Sequence, residues 1–262
     1  GIAYSNPADS LWYFTFLSNF DVITLHNNGF ESHLLSGITW SLSIEEQFYL
    51  IWPLFFLFIP KRFFGIIFVT LIISCIFFRF LHHSELVFIY FHTLAVCGDL
   101  AIGGLAAFLV INYSSFRNFF TSLGTKQRIF IYVTGIAYIL LKDHYLMHPY
   151  AYVYNRLLST LFFAFVILDQ NYNLSSVMKL GKIKILNNWG KYTYGLYLLH
   201  PVGLWMITLF VDYFDISIDS FTGKSLVALF ALIVTCSVAY ISYHYLEKPF
   251  LNMKKRFSHI TT

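Results

Sequence analysis

Two carboxylates lie inside an apolar stretch of the chain, and their chemistry needs an explanation first. Glu45 and Glu46 fall within the run Ile38–Pro60. A carboxylate at the centre of a bilayer costs about 2.5 to 3.5 kcal/mol, and such residues usually serve a function. On a helix, the face that carries Glu45 also carries Ser41, Phe48, Tyr49 and Trp52. The segment therefore predicts a polar site set into an apolar helix.

The residues around the carboxylates are polar or amphipathic as well. Trp40, Ser43 and Gln47 belong to the same segment. Lipid cannot satisfy such a cluster, which must therefore meet other protein or a watery cavity. Contact with lipid headgroups or an ion pair with Arg156 remains an alternative, chiefly for Glu46. For the whole cluster we predict a polar cavity.

A third carboxylate, Asp99, lies in the middle of the apolar run Leu86–Ile111. His92 precedes it by seven residues, which places the two side chains on one face of a continuous helix. His92 alone fits a hydrogen-bonded core histidine equally well, whereas Asp99 indicates function. Small residues in the same run predict close approach of a neighbouring helix: Gly98, Gly103, Gly104, Ala106 and Ala107.

His200 is the third candidate, and Pro201 follows it directly inside an apolar run. Proline removes a backbone donor and usually marks a kink. A histidine at such a point can transfer protons or can tie two helices together by a hydrogen bond, and the residues favour neither. The spacing of histidines and cysteines predicts no metal site and no disulfide framework.

The composition identifies the elements that hold these residues. Of the 262 residues, 58% are hydrophobic and 11% are charged. A soluble domain carries about 25% charged residues, and disordered chains are poor in aromatics, so both classes are excluded. Seven apolar runs approach the length of about 20 residues that a bilayer requires. They are Ile38–Pro60, Phe63–Leu81, Leu86–Ile111, Arg128–Leu141, Ala151–Leu168, Thr193–Val211 and Ser225–Tyr245.

An eighth stretch, Leu11–Leu25, is interrupted by Asn19 and Asp21 and fits an interfacial helix better than a span. We therefore predict an all-α fold, a polytopic transmembrane helix bundle of about seven spans plus one interfacial or short helix. Lysine and arginine cluster in alternate loops, which the positive-inside rule assigns to the cytoplasm together with the C-terminus.

Three motifs resemble one family. Trp40–Pro53 (WSLSIEEQFYLIWP) closely resembles the signature of the acyltransferase 3 family of integral-membrane O-acyltransferases. Tyr194–Pro201 (YGLYLLHP) is similar to its penultimate-helix motif, and Tyr243–Phe250 (YHYLEKPF) to its closing motif. Asp99–Ala106 is similar to a fourth, weaker segment. The order and spacing of the motifs make the resemblance specific.

The resemblance implies a single membrane domain, residues 1–262, that lacks about three N-terminal helices of a ten-helix family. Those helices would carry a histidine that is the presumed catalytic base. We therefore expect a fragment that is inactive alone. The implied location is the bacterial inner (plasma) membrane, with several passes through the bilayer.

The implied activity is transfer of an acyl group, usually acetyl, from cytoplasmic acyl-CoA to a hydroxyl of a cell-surface or exported carbohydrate. No bound cofactor is expected, because acetyl-CoA is a substrate, and the expected partners are the bilayer, acyl-CoA and the carbohydrate, without nucleic acid. Glu45 and His200 are the expected catalytic residues. The expected substrate-binding residues are Trp40, Ser41, Ser43, Glu46, Tyr49, Asp99 and His92.

A second function fits the residues from a different class of protein. In a glycan or glycolipid transporter or flippase, Glu45, Asp99 and His200 would form a proton relay. Such a protein would not depend on acyl-CoA. A purely structural scaffold ranks lowest, because it leaves the intramembrane carboxylates without a purpose.

Overall fold

The structure is a computed structural model that describes residues 10–30, 37–145, 148–173, 179–214 and 220–257. Within these ranges the chain is helical and forms no strand, which confirms the all-α prediction. The α-helices are α1 (Ser10–Phe14), α2 (Ser18–Asn27), α3 (Thr39–Phe58), α4 (Phe64–Leu81), α5 (Leu86–Phe91), α6 (Thr93–Asn112), α7 (Ser114–Ser122), α8 (Thr125–Tyr145), α9 (Pro149–Tyr172), α10 (Lys184–Trp189), α11 (Thr193–Tyr213), α12 (Phe221–Ser242) and α13 (Lys248–Phe257).

Five segments of the described chain are long and apolar enough to cross a membrane, and the protein is a multi-pass membrane protein. They are Lys61–Leu81, Leu86–Asn112, Tyr150–Tyr172, Lys184–Tyr213 and Thr222–Met253. The two other predicted spans form α3 and α8, of 20 and 21 residues. Neither helix is among the five segments, so membrane crossing by α3 and α8 stays a prediction.

The chain divides into two compact units. The first contains α1 to α9, and the second contains α10 to α13. In the first unit α4 packs along α6, and in the second α11 packs along α12. The carboxylates Glu45, Glu46 and Asp99 all belong to the first unit, whereas His200 belongs to the second.

Small residues let α4 and α6 approach closely, as the sequence predicts. A Cβ atom added to Gly98 would lie 2.6 Å from the sulfur of Cys75, and one added to Gly104 would overlap the ring of Phe68. Gly103 has nothing within 4 Å of that position. Two of the three glycines of α6 therefore permit the helix contact, and the third faces away from it.

The helix that the sequence predicts from Leu86 to Ile111 is broken at His92. α5 ends at Phe91, and His92 has the extended backbone angles φ −75° and ψ 134°. Its ring nitrogen Nδ1 accepts a hydrogen bond from the backbone N–H of Leu94 at 3.2 Å and so caps α6. The prediction that His92 and Asp99 share one face of a continuous helix is therefore wrong. His92 has an extended backbone and precedes the first residue of α6, where its side chain caps the helix.

The stretch Leu11–Leu25 forms the two short helices α1 and α2 instead of one continuous helix. Phe16, between them, has a φ of 55°, in the left-handed region that interrupts a helix. The helices have 5 and 10 residues, and neither reaches the length of a span. α2 packs on α3 and α5.

A buried ion pair joins α8 to α9 at one end of the first unit. The guanidinium Nε of Arg128 lies 3.1 Å from a carboxylate oxygen of Asp169, without hydrogen-bond alignment. The Tyr132 hydroxyl donates to the other oxygen of Asp169 at 3.1 Å. Because both charged side chains are buried, their mutual attraction offsets part of the cost of removing them from water.

We expect Gly98→Ala to destabilise the first unit, because the added methyl group would overlap the Cys75 side chain. Overpacking of this kind costs about 1 to 3 kcal/mol. Gly103→Ala is the matched control on the same helix. It should be neutral or stabilising, since alanine favours helix by about 1 kcal/mol over glycine. Thermal unfolding of the two purified variants in one detergent checks the order, and equal midpoints would contradict the close packing of α4 and α6.

Candidate functional site

Two polar side chains of α3 form hydrogen bonds with α2. The hydroxyls of Ser43 and Ser18 lie 2.7 Å apart, and both residues are buried. The Gln47 amide donates to the side-chain oxygen of Asn19 at 3.0 Å. Residues 43 and 47 are one helical turn apart, so one face of α3 binds α2. Ser43 thus lies in a helix contact, and its role in substrate binding stays a prediction.

Three side chains complete this contact in a closed ring of hydrogen bonds. Gln47 donates to Asn19, Asn19 donates to the hydroxyl of Thr93 at 3.1 Å, and Thr93 donates back to the Gln47 oxygen at 2.7 Å. Asn19 also donates to the backbone oxygen of Phe91 at 3.0 Å, next to the helix break. Asn19 is completely buried. A satisfied buried network of this kind fixes a unique arrangement of helices, here α2, α3 and the start of α6.

The two adjacent carboxylates of α3 remain outside the network. Glu45 and Glu46 are half-buried, and neither forms an ion pair or a side-chain hydrogen bond with any residue of the described ranges. They lie between Ser43 and Gln47, both of which are bonded. α3 therefore holds two carboxylates that helix packing does not use.

The aromatic residues of the signature segment point to different neighbours. The Trp40 ring meets Phe91 edge-on, with centroids 5.0 Å apart. Trp52 stacks on Phe48 at 4.7 Å, whereas Tyr49 is 57% exposed. Trp52 and Tyr49 both line a shallow apolar depression on the surface of this helix. Ser41 is half-buried at the start of α3.

Asp99 is held by two arginines. One carboxylate oxygen accepts from Arg79 at 2.9 Å and from the Thr160 hydroxyl at 3.2 Å, and the other accepts from Arg156 at 2.5 Å. Arg79 also donates to the backbone oxygen of Ala95 at 2.6 Å. The cluster joins α4, α6 and α9. Asp99 is thus engaged in a three-helix ion cluster, and its predicted contact with substrate stays a prediction.

Two features of this cluster were not predicted. Arg156 pairs with Asp99 and not with Glu46, the partner that the sequence left open. Arg79 was missed as a site residue, although it lies inside the apolar run Phe63–Leu81 and is 1% exposed. An ionisable residue within an apolar run is the signal that could have found it. With two arginines and one carboxylate, the cluster carries an excess of one positive charge.

His92 lies among aromatic rings at the break between α5 and α6. Its ring stacks on Phe78 at 4.7 Å and on Phe88 at 5.8 Å, and meets Phe20 edge-on at 5.3 Å. Together with its capping bond to Leu94, these contacts give His92 a packing role. Its substrate contact stays a prediction.

His200 forms a hydrogen bond to a backbone carbonyl that has no helical N–H donor because of Pro201. α11 runs from Thr193 to Tyr213 with Pro201 inside it. Proline has no N–H for the carbonyl four residues earlier, which is that of Tyr197. Nδ1 of His200 lies 2.6 Å from this carbonyl oxygen. Since a carbonyl only accepts, Nδ1 carries the proton, and Nε2 of the neutral ring is left as the basic nitrogen.

Two of the quoted motifs meet within the second unit. A Cβ on Gly195 would lie 3.2 Å from a carboxylate oxygen of Glu247. Close by in sequence, the buried Tyr192 ring packs against Tyr240 and Tyr243. The ammonium group of Lys191 lies 4.9 Å from the Tyr192 ring centroid. At the start of α11 the second unit therefore places an exposed ammonium group beside packed aromatic rings.

No group of His, Cys, Asp and Glu residues in the described part of the chain is arranged to hold a metal ion. A family model, described as an acyltransferase domain of the acyltransferase 3 type, matches residues 2–244. No curated protein and no solved structure matches the chain.

We expect Asp99→Asn to destabilise the protein strongly, because it leaves two arginines facing a neutral amide. Breaking a buried ion pair from one side costs about 3 to 5 kcal/mol. Asp212→Asn, at an exposed position of α11, is the control with the same chemical change. Unfolding of both variants in detergent, followed by circular dichroism, measures the difference. Equal stability of the two would mean that the arginine cluster does not hold the three helices.

We expect nitrogen NMR of histidine-labelled protein to find His200 with its proton on Nδ1. The His200 signals are assigned by their loss in His200→Gln. Pro201→Ala restores a backbone N–H that competes for the Tyr197 carbonyl, so the fraction with the proton on Nε2 should rise. Pro53→Ala, in α3, is the control proline variant. A proton on Nε2 in the unaltered protein would refute the assignment.

Proposed function

The chain belongs to the acyltransferase 3 family, and we propose that it is a membrane O-acyltransferase that modifies a carbohydrate. The donor is an acyl-CoA in the cytoplasm, and the group transferred is acetyl. The acceptor is a hydroxyl of a cell-surface or exported carbohydrate. Family membership and several membrane-crossing helices support the acyltransferase class and the bilayer location. The identities of the donor and the acceptor are our proposal.

One observation carries the proposal. α3 uses Ser43 and Gln47 to bind α2, yet leaves Glu45 and Glu46 without a partner in the described chain. Carboxylates in an apolar helix are costly, and they persist where function requires them. A free carboxylate can accept the proton of a hydroxyl or orient another base. α3 is therefore the element on which we locate the chemistry.

The reaction defines the roles that are needed. The acceptor O–H bond loses its proton, a C–O ester bond forms, and the C–S bond of the thioester breaks as the coenzyme A thiol leaves. A positioned base must take the hydroxyl proton. We assign Glu45 to polarise this hydroxyl or to orient the base. We assign His200 a second proton-accepting role through Nε2, because its Nδ1 is bonded to Tyr197.

The acceptor site involves the remaining signature residues. Trp40, Ser41 and Tyr49 lie on the same helix as the carboxylates, and Tyr49 is exposed. Aromatic rings and hydroxyls offer a carbohydrate both apolar faces and hydrogen bonds. Glu46 is assigned to binding and not to catalysis.

The donor site is assigned to the basic residues of the second unit. Lys182, Lys184 and Lys191 are exposed near the start of α11. Ammonium groups attract the phosphates of coenzyme A, and the half-buried Tyr243 beside Lys191 can present part of its ring to the adenine. By the positive-inside rule these lysines and the C-terminus face the cytoplasm of a bacterial inner membrane. The rule alone would also account for lysines in this loop.

The structure gives no specific support to the flippase alternative. Its proton relay requires Asp99 to take up and release protons. Both carboxylate oxygens of Asp99 already accept from protein donors, which are Arg79, Arg156 and Thr160. The contacts of Asp99 are therefore explained by helix packing, without a relay.

We expect Glu45→Gln to lower acylation of the acceptor by about 100-fold or more, which is the typical contribution of a proton-transfer group. The ester content of the carbohydrate is measured in cells that carry the full-length gene, at matched protein levels. Asp212→Asn, at an exposed carboxylate outside the proposed site, is the control and should stay within a few-fold of the unaltered protein. Glu46→Gln should lower acylation less than Glu45→Gln does. Full acylation in Glu45→Gln at normal expression would exclude a catalytic role for this carboxylate.

A further inference from the structure

The first unit contains a larger apolar cavity that none of the proposed catalytic residues lines. Its volume is about 480 Å³, within the range of small-molecule sites. Four helices line it: α4 contributes Ile72 and Ile76, α6 contributes Ile102 and Ala106, α7 contributes Phe116 and Phe120, and α9 contributes Leu157 and Leu161. Every residue that lines it is apolar. Its occupant must therefore be apolar over most of its surface.

The arginine cluster lies just beyond one end of this cavity. Arg79 follows the lining residue Ile76 by three positions on α4, and Asp99 precedes Ile102 by three on α6. Arg156 is next to Leu157 on α9. Three positions are about one helical turn, so Arg79 and Asp99 lie about one turn beyond the lining residues. Arg156 is at the same level because it is bonded to Asp99.

This charged layer has one positive charge in excess, and part of it is accessible. Asp99 balances one of the two arginines. The side chain of Arg79 is 1% exposed, whereas that of Arg156 is 23% exposed. An unbalanced charge in a low-dielectric surrounding attracts an anion. Arg156 is the group that can meet it.

We propose that this cavity binds one molecule of an anionic glycerophospholipid. An acyl chain fills the apolar cavity, and the phosphate group pairs with Arg156 at its charged end. The lining alone would accept any hydrocarbon chain, and the excess positive charge selects an anionic headgroup. Glu45 does not line this cavity, so the lipid is a structural or regulatory ligand and not a substrate.

The experiment is native mass spectrometry of the purified full-length protein, released from nanodiscs of phosphatidylcholine with one tenth phosphatidylglycerol. The account predicts retention of one phosphatidylglycerol molecule. Ala106→Phe should remove it, because the ring occupies the cavity. Ala107→Phe, the neighbouring exposed position, is the matched control and should retain it.

A second pair of variants tests the headgroup. Arg156→Gln should weaken retention of phosphatidylglycerol by about fivefold or more, which corresponds to the loss of one interfacial charge. It leaves Asp99 paired with Arg79, so the cluster keeps its fold. Arg156→Lys should restore most of the retention, and the exposed Arg62→Gln should have no effect.

Three results would overturn the proposal. One is equal retention of phosphatidylcholine and phosphatidylglycerol, which would mean that bulk lipid fills the cavity. Another is equal retention in Ala106→Phe and Ala107→Phe. The third is retention in Arg156→Gln at the level of the unaltered protein. The headgroup comparison uses the unaltered protein, so it decides the question even where a variant fails to fold.

Discussion

A charge in a low-dielectric membrane interior must find a partner, and the first unit is organised around one such group of partners. Asp99, on α6, accepts from Arg79 on α4 and from Arg156 on α9. These three helices, together with α7, line the larger apolar cavity. Because each charge would be costly alone, the ion cluster favours the packing of the three helices against one another. The second ion pair, Arg128 with Asp169, joins α8 to α9 by the same principle.

The same constraint makes the free carboxylates informative. The ring formed by Asn19, Gln47 and Thr93 satisfies its members through one another. Glu45 and Glu46 lie on the same helix and have no partner in the described ranges. The contacts between helices use the neutral side chains of α3 and not its two carboxylates. The stability of the fold therefore does not explain why these carboxylates are present. The proposed acyl transfer does, since it needs a carboxylate free to act on a hydroxyl.

Much of the helical framework could be predicted from the sequence, because apolar runs of span length have one stable form in lipid. The motifs also identified the family, which the match over residues 2–244 supports. The break at His92 was missed, since hydrophobic periodicity does not register a side chain that caps the helix after it. The partners of Asp99 were missed because they lie 20 and 57 positions away in the chain. Such pairings depend on how helices pack, which local patterns do not encode.

The central claim is that the protein moves an acyl group and not the carbohydrate itself. The most direct test supplies acyl-CoA, labelled in its acyl group, to the cytoplasmic face of membrane vesicles that contain the full-length protein and the acceptor carbohydrate. The account predicts that the label appears on the carbohydrate in an alkali-labile ester, and that coenzyme A labelled elsewhere transfers nothing. Movement of unlabelled carbohydrate across the membrane, without dependence on acyl-CoA, would contradict it.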